Sequence, residues 1–509
     1  MKHKMRIGGT YMVAKTSTST ASSGVSLDPD SRGRRASVRQ GSHLARSLVL
    51  LLVLAVFGLV SSGWTQPAAG PSAGAGTDQE AFIAWARDHA VVLKTIDPGA
   101  AVGDLAPIKG IVGDAQVVML GQTDRDAHEQ LQLSHRLIRF LVEQMGFTAL
   151  ALEENVATSE RINAYLLRGE GDPRALLARM GAWQTWGNDE FLALLKWLRA
   201  YDQNPLHKKK VRFYGIDILD PYASMADVMT YLDRVDTDYA VFLKKGPIDF
   251  GFLKADSWLQ LVARYSAMGN AKSIAFGEHI KGVLARFEQK RSEYIALSSE
   301  GEYTWVLHEA GCVKRASDFF SIVTTASPEE VGNVRTTAMV DNLMWLINGV
   351  AKGERLIVWA HNIHVSRDYI EVNVPGASKL ASMYPMGRFM STELGAKMVS
   401  MGFSYANSVT TDSLAPPARS SSIDGALAGV GKPLFVIDLR TAPAEGPVRT
   451  WLNIRNEMRG LGGVTRLVPA RAYDAIIFVD QITPALPTAA VRTRLESLDR
   501  VKFSTRTTF

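Results

Sequence analysis

The residues of this chain best suited to moving a proton near neutral pH lie at the ends of short apolar runs. Glu153 closes the run Phe147–Leu152, and His361 and His364 follow the run Arg355–Trp359. An imidazole can take a proton from water because its ordinary pKa lies near neutrality, and a carboxylate beside it fixes the ring. His128, near the start of a helical stretch, and Asp217, just past the run Val211–Tyr214, complete the ionisable set. Each has a plainer reading. A lone histidine is most often structural, and Asp217 could cap a helix, since Pro221 follows shortly. A zinc site would draw on His361 and His364 with His128 or Glu153 as a further ligand, although no HExxH spacing accompanies them. The sequence contains no GxSxG elbow, Walker loop or GxGxxG.

The elements that must position these groups are legible. Val117–Leu120 is an apolar run ending at Gly121, and Ala127 to Met145 carries Leu131, Leu137, Ile138, Leu141 and Val142 at helical spacing before Gly146. With Phe147–Leu152 this makes strand, helix, strand, which predicts a parallel pair joined by a right-handed crossover. Ligands of such sheets bind beyond the carboxyl ends of the strands, so the site is expected between the loop Gly121–His128 and Glu153. Further strands are expected at Val211–Tyr214, Arg355–Trp359, Lys397–Tyr405, Pro433–Asp438 and Ala475–Phe478. Residues 222–350 are almost wholly helical in pattern. The predicted class is α/β: a central, mostly parallel sheet flanked by helices, with a large inserted helical subdomain over the C-terminal strand edge. Trp183 and Trp186 read as core or lid packing, with substrate stacking as the sharper alternative.

These motifs resemble those of the erythromycin esterase family, whose first block reads roughly LGE-x-THG-x-HE before a helix and a strand ending in ALE. The likeness continues through Arg161-Ile-Asn-Ala-Tyr, Phe213-Tyr-Gly-Ile-Asp217, Trp359-Ala-His-Asn-Ile-His364, Pro385-Met-Gly-Arg388 and Tyr473-Asp-Ala-Ile-Ile-Phe, and covers about Phe82 to Pro484. The resemblance implies hydrolysis of an ester by base-activated water. It also marks a departure. Gln122 stands where the family has the Glu of LGE, and Arg125 and Asp126 stand where it has the His-Gly of THG. In the family that Glu and that His are associated with catalysis. Arg125 stays protonated and cannot be a general base; it suits an anion or an ion pair with Asp124, Asp126 or Glu153.

The expected site therefore has His361, His364, Glu153 and His128 in catalytic roles. Gln122, Arg125, Asp217, Arg335 and Arg388 are expected around the substrate. Arg335 and Asn342 match a family R-D-x-x-M-x-x-N pattern in which Thr336 replaces the Asp. Three readings stay open: an esterase-like hydrolase with no cofactor, a catalytically degenerate member that binds a small molecule without turnover, and a zinc-dependent hydrolase.

The net charge of +6 is concentrated in the leader. Residues 1–66 hold nine Lys/Arg against Asp28 and Asp30, which leaves the remainder near −1. Such a body has no basic excess for nucleic acid or an anionic membrane surface. Leu48–Val60, uncharged over 13 residues and preceded by Arg46, is short for a membrane span and reads as an export signal, with an uncleaved N-terminal anchor as the alternative. That implies a periplasmic or extracellular protein; an internal start at Met12 would shorten the leader. Residues 67–77 read as a linker and 78–509 as one esterase-like domain. Cys312 is the only cysteine, so no internal disulfide can form, and it reads as core or surface filler rather than a nucleophile.

Overall fold

Strands that are apolar at every position, with no alternation, need cover on both faces. The computed structural model shows such strands at the centre of the molecule. It describes residues 75–246, 249–372, 380–409, 417–460 and 463–506. Leu48–Val60, Met12, the rest of the leader and most of the 67–77 linker lie outside the described residues.

The strands are β1 (Val91–Val92), β2 (Val117–Leu120), β3 (Ala149–Asn155), β4 (Arg212–Asp217), β5 (Leu356–Trp359), β6 (Ile370–Val372), β7 (Ala381–Met383), β8 (Met398–Ser408), β9 (Leu434–Asp438), β10 (Asn456–Gly460), β11 (Gly463–Leu467) and β12 (Ala475–Ile482). Eight of them form one sheet in the order β1-β9-β12-β8-β2-β5-β3-β4. From β12 to β4 every pairing is parallel, while β9 is antiparallel to both its neighbours.

One expectation needs correcting. β2 and β3 are parallel but not adjacent: β5 lies between them, with Met119 and Ala151 both opposite Val358. The reason is visible in β5 itself, whose four apolar residues are all buried and suit the middle of a sheet rather than its edge.

Successive side chains of the strands enter opposite cores. Val117, Met119, Ala149 and Ala151 pack with the helical insertion, whereas Val118, Leu120, Leu150 and Leu152 pack with the helices His128–Met145 and Asp189–Gln203. The insertion between β4 and β5 runs from the helix Pro221–Val235 through Glu300–Ile322 to Pro328–Trp345. Pro328–Trp345 starts on a capping box, Ser327 with Glu330, with Pro328 in the first turn. It packs on β4, which brings Arg335 over the carboxyl ends of β3 and β4.

The second sheet, β10-β11-β6-β7, is antiparallel and was not anticipated. β6 and β7 are three residues each and β10 is mostly polar, so none gives a hydrophobic period. Among the described residues no helix is long and apolar enough to cross a membrane.

Candidate active site

Each sequence-defined group at the strand ends is carried by a different strand. β3 delivers Glu153, β4 delivers Asp217, β5 leads into His361, and β2 leads into the loop that carries Arg125. Four groups, two of them from these elements, converge on Glu153. Its Oε1 accepts from Arg125 Nη2 at 2.5 Å and from Arg335 Nη2 at 2.9 Å, and lies 3.4 Å from His364 Nε2. Its Oε2 accepts from the His361 backbone N–H at 2.9 Å. Arg335 also grips Asp217, through Nε at 3.2 Å and Nη2 at 2.6 Å, and its Nη1 faces His364 Nε2 at 3.3 Å. Glu153, Asp217, Arg335, His361 and His364 are all buried, whereas the Arg125 side chain is 26% exposed. Arg125 is thus the member of the network that meets solvent.

Gly121 and Asn362 set the loops. A Cβ on Gly121 would lie 2.0 Å from Asn362 Oδ1, so only glycine lets the two loops meet. Asn362 then bridges to β8, donating to the Phe403 carbonyl at 2.7 Å and accepting its N–H at 3.0 Å. Gln122 is buried; its carbonyl accepts from Asn362 N–H at 2.8 Å and its Nε2 donates to the Asp124 carbonyl at 3.1 Å. A neutral amide suits that backbone-bracing place, and no hydrogen bond ties Gln122 to Glu153 among the described residues.

His361 fixes its own ring. Nδ1 accepts from Ile363 N–H at 3.3 Å, capping the turn Asn362–Val365, so Nε2 carries the proton and donates to the Thr123 carbonyl at 2.6 Å. Burial and then Arg125 push this imidazole down to about 3. Both nitrogens being engaged, the expected role of base does not fit His361; it orients the loop against β2. His364 differs. Burial lowers it too, with Glu153 opposing, but its Nδ1 carries no hydrogen bond among the described residues. Burial alone would raise the Glu153 carboxyl; Arg125, His364 and Arg335 hold it well below the usual carboxylate range. Asp217 and Glu153 in turn raise Arg335 despite its burial.

Two expected members are found elsewhere. His128 Nδ1 meets Glu190 at 2.5 Å, and Glu190 also accepts from Leu486 N–H, so this histidine is bound to a neighbouring helix rather than to Glu153. Arg388 pairs with Asp368 at 3.2 Å and lies over the Tyr384 ring. Trp183 and Trp186 are buried, donating to the Asp256 carbonyl at 3.1 Å and the Glu153 carbonyl at 3.2 Å, with Trp186 edge-on to Trp359; they pack. Cys312 is buried in the insertion beside Asn342, and burial raises its thiol. Among the described residues no three His, Cys, Asp or Glu side chains form a metal-binding group, and two guanidinium groups occupy Glu153, so the zinc reading finds no ligand set there.

Sequence reasoning missed the flank of the site. Burial raises the Asp124 carboxyl to about 6, with Tyr405 opposing, and Arg459 of β10 lies over the Tyr405 ring at 4.7 Å. Asp424 accepts from Ser404 Oγ at 2.6 Å and from Arg459 N–H at 2.9 Å. Tyr405 at the end of an expected strand was the available signal; Arg459 offered none. Glu154, next to Glu153, faces the other core. It accepts from Asn155, Thr158, Gly181 and Ala182, and burial lifts it to about 7 against those donors.

A family model described as erythromycin esterase matches residues 142–482. An erythromycin esterase type II of Escherichia coli is 25% identical over 336 residues, 63% of this chain and 76% of that protein. A solved structure from Bacillus cereus matches with a TM-score of 0.66 at 24% identity, covering 81% of this chain and 99% of that one. A solved erythromycin esterase mutant in its open conformation matches with a TM-score of 0.63 at 16% identity, over 78% of this chain and 98% of that one. These two structures share the fold described above.

Proposed function

Since the chain belongs to the erythromycin esterase family, we propose that it hydrolyses a carboxylic ester or lactone with water activated by His364. The observation that carries this reading is the convergence of His364, Arg125 and Arg335 on one buried carboxylate, Glu153. With Nε2–H directed at Glu153, the Nδ1 lone pair of His364 can take a proton from water. The hydroxide attacks the ester carbonyl. Arg125, the partly exposed cation of the network, steadies the oxygen that becomes negative. Arg335 and Asp217 hold Glu153 in place, and His361 holds the loop.

A second reading is binding without turnover. It is favoured by Arg335 Nη1 facing His364 Nε2 at 3.3 Å. If Nε2 accepts that bond, the proton moves to Nδ1, and the ring becomes a donor for a ligand oxygen instead of a base. The macrolide named by the Escherichia coli relative is the first ester to offer. The test is to incubate the full chain with a macrolide lactone and with simple aryl and alkyl esters, following ring opening by mass. Turnover abolished by His364→Ala supports hydrolysis. Saturable binding of the macrolide with no product from any ester overturns it in favour of the binder.

The reading includes export to the periplasm or beyond, from the basic leader and Leu48–Val60. Fractionation of expressing cells checks this: soluble periplasmic protein of reduced mass is expected, and full-length protein in the membrane fraction would point to the anchor.

A further inference from the structure

A buried carboxylate with an idle oxygen is unfavourable, and such an atom in the wall of a cavity points to a ligand. Asp368 is one. It is 6% exposed, and its Oδ2 has no hydrogen-bond partner among the described residues. It lines a cavity of about 340 Å³ together with Arg367, Arg471, Ala470 and Ser391. Ser366 pins the backbone here, donating from Oγ to the Asp368 carbonyl at 2.9 Å and accepting the Asp368 N–H at 3.3 Å.

This cavity lies away from Glu153. Arg367 is tied to Asp474, which precedes β12 and accepts from Ser400 N–H, near the start of β8, at 2.9 Å. β8 and β12 run parallel to β3, so the cavity belongs to the sheet edge opposite the one that carries Glu153.

Three arginines attend Asp368. Arg388 Nη1 is 3.2 Å from its Oδ1, and Arg471 Nη1 is 3.8 Å from its Oδ2. Arg367, its chain neighbour, has a buried Nε that also lacks a partner among the described residues. Counting Asp474, three cations face two anions. The Arg388 and Arg471 side chains are 45% and 66% exposed, so both keep donors to offer. Guanidinium forks suit an oxyanion, whereas a carboxylate only accepts and repels an oxygen that brings no proton. Both demands are met by an oxyanion that also carries a hydroxyl. Inorganic phosphate keeps a P–OH at neutral pH. Sulfate has none, and a phosphate monoester loses its own above about pH 6.

We propose that this cavity binds inorganic phosphate, its oxygens held by Arg367 and Arg471 and its P–OH donating to Asp368 Oδ2. The proposal does not depend on ester hydrolysis, because its readout is binding.

Calorimetric titration of the full chain at about pH 8, where a monoester is ionised, tests it. Phosphate should saturate the protein, with sulfate and methyl phosphate weaker by roughly tenfold or more, the worth of one hydrogen bond to a charged group. Asp368→Asn removes the repelling charge and supplies a donor, so its affinities for phosphate and sulfate should come within about threefold of each other. Arg471→Ala, at an exposed position, should keep the melting temperature and lose roughly tenfold in phosphate affinity. Arg125→Ala, at the opposite edge of the sheet, should lose none. The proposal is overturned by any of three results: no saturation with phosphate, sulfate or methyl phosphate bound as tightly as phosphate, or binding that survives Arg471→Ala and is lost in Arg125→Ala.

Discussion

Arg335 Nη2 donates to Glu153 Oε1 at 2.9 Å across 182 positions of sequence, both side chains buried, and the same guanidinium holds Asp217 at 2.6 Å. The helical insertion is tied to the sheet by a charged group, where an apolar contact would have served packing as well. Removing one partner of a buried ion network leaves the others unpaired, at a cost of about 3–5 kcal/mol. Arg335→Leu should therefore destabilise by about that amount in urea unfolding, and Arg335→Lys, lacking the planar fork, should recover only part of it. A loss within about 0.5 kcal/mol, as for an exposed arginine, would contradict this account.

Arg125 presses on the network from the solvent side. Removing its charge should raise the pKa of His364, since a nearby cation disfavours the imidazolium. His364 acts as base only when neutral, so the acid-side fall of kcat/KM should move to higher pH in Arg125→Ala. The pH-independent rate should drop by roughly 10²–10³-fold through loss of oxyanion stabilisation. An unchanged profile would mean that Arg125 does not address the site.

His135, buried on the helix His128–Met145, has neither ring nitrogen hydrogen-bonded, and burial, then Arg139, lowers it to about 4. The unfolded chain binds a proton there below pH ~6.5, whereas the folded chain does not until about 4. Stability from this position is thus lost as pH falls through that window, by up to about 1.4 kcal/mol per pH unit. His135→Leu should stabilise the protein at pH 7 and stabilise it further at pH 5, read by denaturant midpoints at the two values. An advantage that is the same at both would remove His135 from the acid response.

Gly121→Ala should force apart the loops after β2 and β5, because the added methyl meets Asn362 Oδ1 at 2.0 Å. Overpacking of this kind costs about 1–3 kcal/mol. The displacement falls on the turn that carries His361 and His364, so kcat should drop more than the melting temperature suggests. Wild-type turnover in a stable Gly121→Ala variant would show that the loops yield without consequence.

The parts of the fold with strong periodicity were legible. The wholly apolar strands, the helix ending at Gly146 and the long helical block all matched their sequence patterns. Strand order was not, because β5 enters between β2 and β3 from far along the chain, and period alone carries no information on partners. The four-stranded sheet escaped because its strands are too short or too polar to leave a pattern. In the site, the strand-end rule brought out Glu153, Asp217, His361 and His364, which the structure gathers around Arg335. It did not separate the roles of the two histidines, since that depends on which nitrogen meets the Thr123 carbonyl. His128 and Arg388 were drawn in by motif position, but each is held by a local acid, Glu190 and Asp368.

Glu153 and Glu154 are chemically twins set on opposite sides of one strand: the first is kept anionic by arginines, the second leans toward its neutral form among backbone donors. A shift of β3 by a single position would swap them. It would bury a reluctant acid beneath Arg335 and set the wrong carboxyl against the N–H groups of Gly181 and Ala182. The strand's alignment is thereby policed by charge as well as by oil, and a one-residue insertion upstream of Glu153 should be tolerated far less than its small size implies.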